Sequence, residues 1–485
     1  MKTTFQPRLS RVALALALLG AAAAQAATIQ ITSRDPVGVG FNDPTPVAPV
    51  GGNPGTTLGE QRMNVYKYVA GLWEQAIDSP VTITVNAGWE ALSCTSTSAV
   101  LGSAGAWNIW HDFPGGKPGT WYPQALANKL AGVNLSAGVP DDGSGYGTVD
   151  IKSQFNVNLG NTGCLDGTPF YLGLDGNAGT KVNFVETLLH EIGHGLGFSV
   201  LTVQTSTGKR INADGSAYTD DGLPSIWEGF MYDNTAGKLW LNMTSAERKA
   251  SAINPLQLAW TGPITVAGAA QTLGPVPMLS IVTPVPGTSG LYAYNTASFG
   301  PPAANPSVLG VMTYAGDGCA AYAANSLQGK VAVIDRGTCS FVIKVKNAQN
   351  AGALSVVIAN NQGGAAPGLG GSDPTITIPT VSVSQTDGAT IKNAIALAPN
   401  YGTRSTRGNV QGSLTKDPNH RAGADAAGRP LLYTPSTLAS GSSVSHWDVS
   451  AFPNQLMEPN INADLTTSLV PPLDLTKPLL QDLGW

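Results

Sequence analysis

The sequence predicts an α+β chain of more than one domain, a mixed helix-and-sheet body interrupted by a β-rich insert. Three observations predict it. Segments with helical and strand periodicity alternate between Ala27 and Lys181. The amphipathic stretch Asn183 to Phe198 (NFVETLLHEIGHGLGF) carries two histidines on one face. From about Pro263 the pattern turns β-rich and is punctuated by Gly and Pro. With 485 residues, two domains or more and a sizeable core are expected.

The Asn183–Phe198 helix is the best defined element. Phe184, Leu188, Leu189 and Ile192 recur at helical spacing, and Asn183 with Glu186 fits a capping box. His190 and His194 are four residues apart, so their imidazoles project one turn above the other. Two nitrogen ligands of one zinc ion need that spacing. Glu191, about 100° further round the helix, is placed to take a proton from a water at such an ion, the general base of a metalloprotease. Gly195 and Gly197 are expected to stop the helix. The bland alternative is a core helix with hydrogen-bonded histidines, and the complete motif in a helical context argues against it.

At the amino end, Lys2, Arg8 and Arg11 precede the apolar run Val12–Ala24, and Ala24-Gln25-Ala26 fits a cleavage site. A secretory signal peptide over 1–26 is expected, and with it a secreted or periplasmic protein. The run is too short for a membrane span, and no later stretch suits one. The formal charge of −5 and a charge-poor, Gly- and Pro-rich composition argue against nucleic-acid binding. In an oxidising compartment Cys94, Cys164, Cys319 and Cys339 can form two disulfides. Three pairings are open; proximity in sequence favours Cys94–Cys164 and Cys319–Cys339.

Arg62–Ile77 reads as a helix, and Val81–Val85, Thr148–Leu159 and Phe170–Leu174 read as strands. Such a half of a zinc protease includes an edge strand that pairs with extended substrate, and the pattern does not say which strand it is. His111, lone among tryptophans, reads as a packing or surface residue. A third metal ligand is required. A histidine at position 200 would complete a short HExxHxxGxxH pattern, and Val200 stands there. Of the downstream histidines, His420 lies in a polar stretch that reads as linker, whereas His446 lies in SSVSHWD with Met457 following in NQLMEP. Glu228 and Glu247 are the rival ligands.

HEIGHGLGFS, the distant SHWD, NQLMEP and the terminal LLQDLGW together resemble the leishmanolysin-type metzincins. The resemblance implies a zinc protease body with a smaller lower half, one catalytic Zn2+ held by His190, His194 and His446, Glu191 as base, and Met457 as the Met-turn beneath the metal. Asp448 is then a candidate support for His446 or the Met-turn loop, or equally a plain structural carboxylate. The segment between the motifs is longer than such an insertion needs.

That segment contains GKVAVIDRGTCSFVIKVKNAQNAGALSVVIANN, with strands at Val331–Ile334 and Leu354–Ala359 flanking a helix at Phe341–Ala351. Ile378–Val383 adds a strand and Gln385–Ile395 a helix. The RGTCSF turn, NAQNAGA helix and VVIANN strand resemble the protease-associated (PA) domain found in many secreted peptidases. Cys319 and Cys339 would staple its turn, and the domain would act as a substrate-recruiting module or lid, or as an inert spacer. Thr403–Pro430 reads as a linker back to the body. The expected domains are thus 1–26 signal peptide, 27–262 upper half with the motif helix, 263–415 PA-like insert with linkers, and 416–485 lower half.

The expected activity is zinc-dependent endopeptidase action on proteins or peptides through a zinc-activated water. The alternatives are a zinc hydrolase of a non-peptide bond and a non-catalytic binding or adhesion protein displaying the PA domain. Structural Ca2+, latency mechanism and oligomeric state are not legible in the sequence.

Overall fold

The computed structural model describes residues 26–138, 147–305, 307–363, 366–398, 409–462 and 464–485. The signal-peptide reading falls on 1–26 and, Ala26 excepted, lies outside them. The chain divides into two units, one of Met1–Pro118, Tyr122–Leu196 and Gly484–Trp485, the other of Gly119–Trp121 and Gly197–Leu483.

In the first unit β1 (Ile29–Ser33), β2 (Ile83–Glu90), β3 (Gly102–Ala106) and β4 (Ile151–Asn156) form one sheet in the order β1-β2-β4-β3. The pairs β1–β2 and β2–β4 are parallel, and β3 runs antiparallel to β4 at the edge. Three helices accompany it: α1 (Leu58–Ala76), α2 (Gln124–Ala131) and α3 (Phe184–Leu196). The first begins four residues before the helical pattern is evident, because Thr57 and Glu60 close a capping box. Its buried Val65, Tyr66, Val69 and Trp73 face the core. Tyr66, Trp89, Phe155 and Phe184 interlock there, with the rings of Phe155 and Phe184 4.9 Å apart and edge to face. This packing fixes the first turn of α3 against the sheet. The Cys94–Cys164 disulfide is formed in this unit.

In the second unit β5 (Met231–Asp233) pairs antiparallel with β6 (Leu258–Trp260), beside the short helix α4 (Ser245–Ser251). Next comes α5 (Pro263–Thr272), then a closed seven-stranded barrel. Its strands are β7 (Pro275–Val282), β8 (Gly290–Thr296), β9 (Ser307–Tyr314), β10 (Val331–Asp335), β11 (Ser355–Ala359), β12 (Thr380–Val383) and β13 (Gln411–Arg421). The order round the barrel is β7-β8-β12-β11-β10-β9-β13. The parallel run β9-β10-β11-β12 is built with α6 (Phe341–Asn350) and α7 (Gln385–Leu397), which realises the β-α-β pattern read from the sequence. Two apolar clusters pack on opposite faces of β10 and β11, one around Val333, Val357 and Leu414, the other, which takes in α6, around Ile334, Val345 and Ile358. The Cys319–Cys339 disulfide ties the loop after β9 to the turn before α6.

Two expectations need correcting. Gln411–Arg421 is not linker but the strand that closes the barrel, pairing with β7 on one side and β9 on the other. Its far end is polar because it is exposed, and backbone bonding rather than burial holds it there. Residues 403–408 of the supposed linker lie outside the described residues. Pro263–Thr272 does not begin the β-rich insert. It is a helix that packs with α8 (Thr476–Leu483), whose Asp482 accepts from the N–H groups of Ile264 and Thr265 at 2.9 and 3.1 Å. The barrel itself starts at Pro275, whose register partner is Arg421. Among the described residues no helix is long and apolar enough to cross a membrane.

Candidate metal centre

Helix α3 packs against β3 and β4, and every residue from Leu188 to Leu196 is buried. Asn183 starts it, its side-chain oxygen accepting from Val185 N–H at 3.1 Å, one residue short of the position expected of a capping box. Gly195 lies within the last turn rather than ending it. A methyl group there would come within 2.4 Å of Ile151 Cγ2, so this glycine lets α3 approach β4. The helix ends at Leu196, and Gly197 follows at φ 119°, a conformation that side chains resist. The indole N–H of Trp485 donates to the Leu196 carbonyl at 2.9 Å, closing one of the open acceptors of that end.

The rings of His190 and His194 cross at 84°, with their Nε2 atoms 3.0 Å apart. Two imidazoles with lone pairs aimed at one small region suit a divalent cation with nitrogen preference. Glu191 is 9 % exposed, and burial pushes its carboxyl up to about 8 against the lowering effect of the Ala104 backbone N–H. Ala104 belongs to edge strand β3, a contact that no motif announces.

In the second unit His446 is buried, and its Nδ1 lies 2.9 Å from the Ser442 carbonyl. A ring N–H donated to that carbonyl sets the tautomer that carries a lone pair on Nε2. The Trp447 N–H donates to the Met457 carbonyl at 2.8 Å, which ties the histidine's loop to the NQLMEP segment. That segment is itself pinned: Gln455 N–H donates to Glu458 and Leu456 N–H to buried Asp474, each at 2.8 Å. Met457 is fully buried. The Asp448 carboxylate accepts from the Ser450 N–H at 2.9 Å, within the turn that follows His446. Burial raises its pKa.

Among the described residues, His190 and His194 of the first unit each offer one ring nitrogen to a metal ion, and in the second unit His446 offers one. Buried imidazole nitrogens of this kind suit a zinc ion as donors. The rivals are otherwise engaged. Buried Glu228 receives Arg210 Nε at 2.8 Å and the Ser225 N–H at 3.0 Å, and Glu247 closes the capping box of α4 and pairs with Lys238. His111 pairs with Asp112 and His420 with Asp417, both at 2.6 Å. Sequence reasoning missed the Ser442 carbonyl, the Ala104 N–H and Trp485. The first two act through the backbone, which has no signature in the side-chain sequence.

Residues 303–391 match the family model for the PA domain. Over 102 residues the chain is 38 % identical to leucine aminopeptidase 2 of Trichophyton equinum, covering 20 % of each protein. Over 69 residues it is 39 % identical to the minor extracellular protease Vpr of Bacillus subtilis, covering 14 % of this chain and 8 % of that one. Among solved structures, the zinc aminopeptidase BSAP of Bacillus subtilis aligns at 20 % identity and a TM-score of 0.20, covering 32 % of this chain and 36 % of that one. A psychrophilic subtilisin-like protease, Apa1 of Pseudoalteromonas sp. AS-11, aligns at 18 % identity and a TM-score of 0.20, covering 30 % and 34 %. The chain thus spans a fifth or less of the length of these curated relatives. A PA domain is therefore present, in a chain whose relatives are named as peptidases.

Proposed function

We propose that this chain is an exported zinc-dependent endopeptidase of the leishmanolysin-like metzincin type, with His190, His194 and His446 as metal ligands and Glu191 as general base. The observation that carries the reading is α3 itself. Two histidine Nε2 atoms stand 3.0 Å apart, with a buried carboxylate on the residue between them in the motif. A zinc ion bound there would bring the pKa of a bound water towards about 7 and polarise the scissile carbonyl.

The chain's own groups supply the rest. Glu191 takes the proton of the attacking water and passes it to the leaving amine. The Ala104 N–H holds its carboxylate, and β3, at the edge of the sheet, offers a backbone to which an extended peptide can add. Ser442 orients His446, while the backbone bond from Trp447 to Met457 supports the Met-turn assignment. The PA domain serves as the substrate-recruiting module or lid.

The test uses wild type, Glu191→Gln and His446→Ala, with bound zinc and casein cleavage measured on the same samples. Glu191→Gln should keep its zinc and lose activity by about 10²–10⁴-fold, and His446→Ala should lose both. Full zinc and activity in His446→Ala would remove that ligand. Intact activity in Glu191→Gln would remove the base. The names of the relatives favour a second reading, an aminopeptidase; release of leucine from a chromogenic amide, without cleavage of casein, would select it.

A further inference from the structure

The two disulfides of this chain have different electrostatic surroundings. Cys319 Sγ lies 3.3 Å from Nζ of Lys344, a side chain of α6 that is 0 % exposed and also donates to the Asp317 carbonyl. Its partner Cys339 immediately precedes Ser340, the N-cap of α6, whose hydroxyl accepts from the Ile343 N–H. One sulfur thus sits beside an ammonium and the other at the positive end of a ten-residue helix. Burial lowers the proton affinity of Lys344, and the nearby carboxylates of Asp317 and Asp335 raise it. Both sulfurs belong to half-buried residues. Around Cys94–Cys164 the polar contacts are neutral: Asn156 Nδ2 at 3.5 Å from Cys164 Sγ and the Leu92 carbonyl at 3.5 Å from Cys94 Sγ. Cys164 is buried.

A thiolate leaves a disulfide faster the lower its pKa, and neighbouring lysines and helix N-termini lower it. We propose that Cys319–Cys339 is a thiol–disulfide exchange site of the PA domain, opened by dithiol reductants well before Cys94–Cys164. The reagent's thiolate attacks Cys339 Sγ and the S–S bond breaks, with the electron pair passing to Cys319 Sγ beside the Lys344 ammonium. The reagent's second thiol, as thiolate, then attacks the mixed disulfide and releases Cys339 at the α6 N-terminus. The dithiol ends as its disulfide, two cysteines are reduced, and the reagent's two protons pass to the released sulfurs or to solvent. The consequence is a PA domain whose α6 turn is untied while Cys94–Cys164 in the first unit stays closed.

The experiment treats the full chain with graded dithiothreitol, alkylates it, and quantifies each cysteine by peptide mass spectrometry. Cys319 and Cys339 should be labelled at a dithiol concentration about tenfold or more below that needed for Cys94 and Cys164. Lys344→Met, which removes the cation, should narrow that gap. Simultaneous opening, the reverse order, or an unchanged gap in Lys344→Met would overturn the proposal. Should that variant not fold, a monothiol trap on the wild type decides: glutathione should be found on Cys339, and its capture mainly on Cys319 would overturn the proposed role of Lys344.

Discussion

Gly195 and Gly71 are both helical glycines, and their surroundings give opposite expectations for an added methyl. At Gly195 a Cβ would meet Ile151 Cγ2 at 2.4 Å, whereas at Gly71, within α1, nothing lies within 4 Å. Gly195→Ala should therefore destabilise by about 1–3 kcal/mol and push α3 off the sheet, lowering zinc retention as well as the melting temperature. Gly71→Ala should stabilise by about 0.5–1 kcal/mol; thermal unfolding of the two variants reads both signs. A second residue-scale expectation concerns Asp150. Burial pushes its carboxyl up to about 6, although Thr84 N–H, Gln124 and Asn128 all donate to it. The folded chain then holds the proton more tightly than the unfolded chain, whose aspartates titrate near 3.8. That stabilisation is full below about 3.8 and is lost as pH rises through about 6. Measured between pH 4 and 8, the wild type should lose stability relative to Asp150→Asn as pH rises through 6. A flat difference would show that the three donors offset burial.

Elements were legible where side chains carry the pattern. Helix α3 has its period and its motif, and β10, α6 and β11 alternate as runs of Val and Ile with a polar-faced helix. The edge strand β3 reads GSAGA and has none of the branched or aromatic residues by which strands are recognised. The polar end of β13 hid it in the same way. For α5 the obstacle is distance. Its first N–H groups and the Trp260 indole converge on Asp482, more than 200 residues later in the chain. Asp482→Ala should cost about 1–2 kcal/mol by uncapping α5 and orphaning that indole. Denaturant unfolding should detect it, with the PA barrel unaffected. The metal-ligand candidates follow the same logic: His190 and His194 announce themselves by spacing, while the tautomer of His446 depends on a carbonyl that any residue could supply.

For the whole molecule, the barrel's two ends meet as register partners, Pro275 opposite Arg421. A unit entered and left at adjacent points can be removed without separating the ends that carried it. A chain in which residues 276–420 are replaced by a short Gly-containing turn should fold, keep its zinc and cleave small peptides. It should lose activity on large protein substrates if the PA domain recruits them. Loss of zinc on excision would make the barrel part of the body's core. Parallel measurements of metal content and of peptide and casein cleavage separate these outcomes.

The barrel's position in the chain also has a consequence in time. Its strands are interposed between His194 and His446, so the last proposed ligand is synthesised roughly 250 residues after the motif helix. At about 5–20 residues per second, the ribosome needs on the order of 10–50 s to bridge that gap. Throughout it, the nascent chain carries only two of three ligands. Assembly order would then delay the appearance of a hydrolytic centre until the whole barrel has been made.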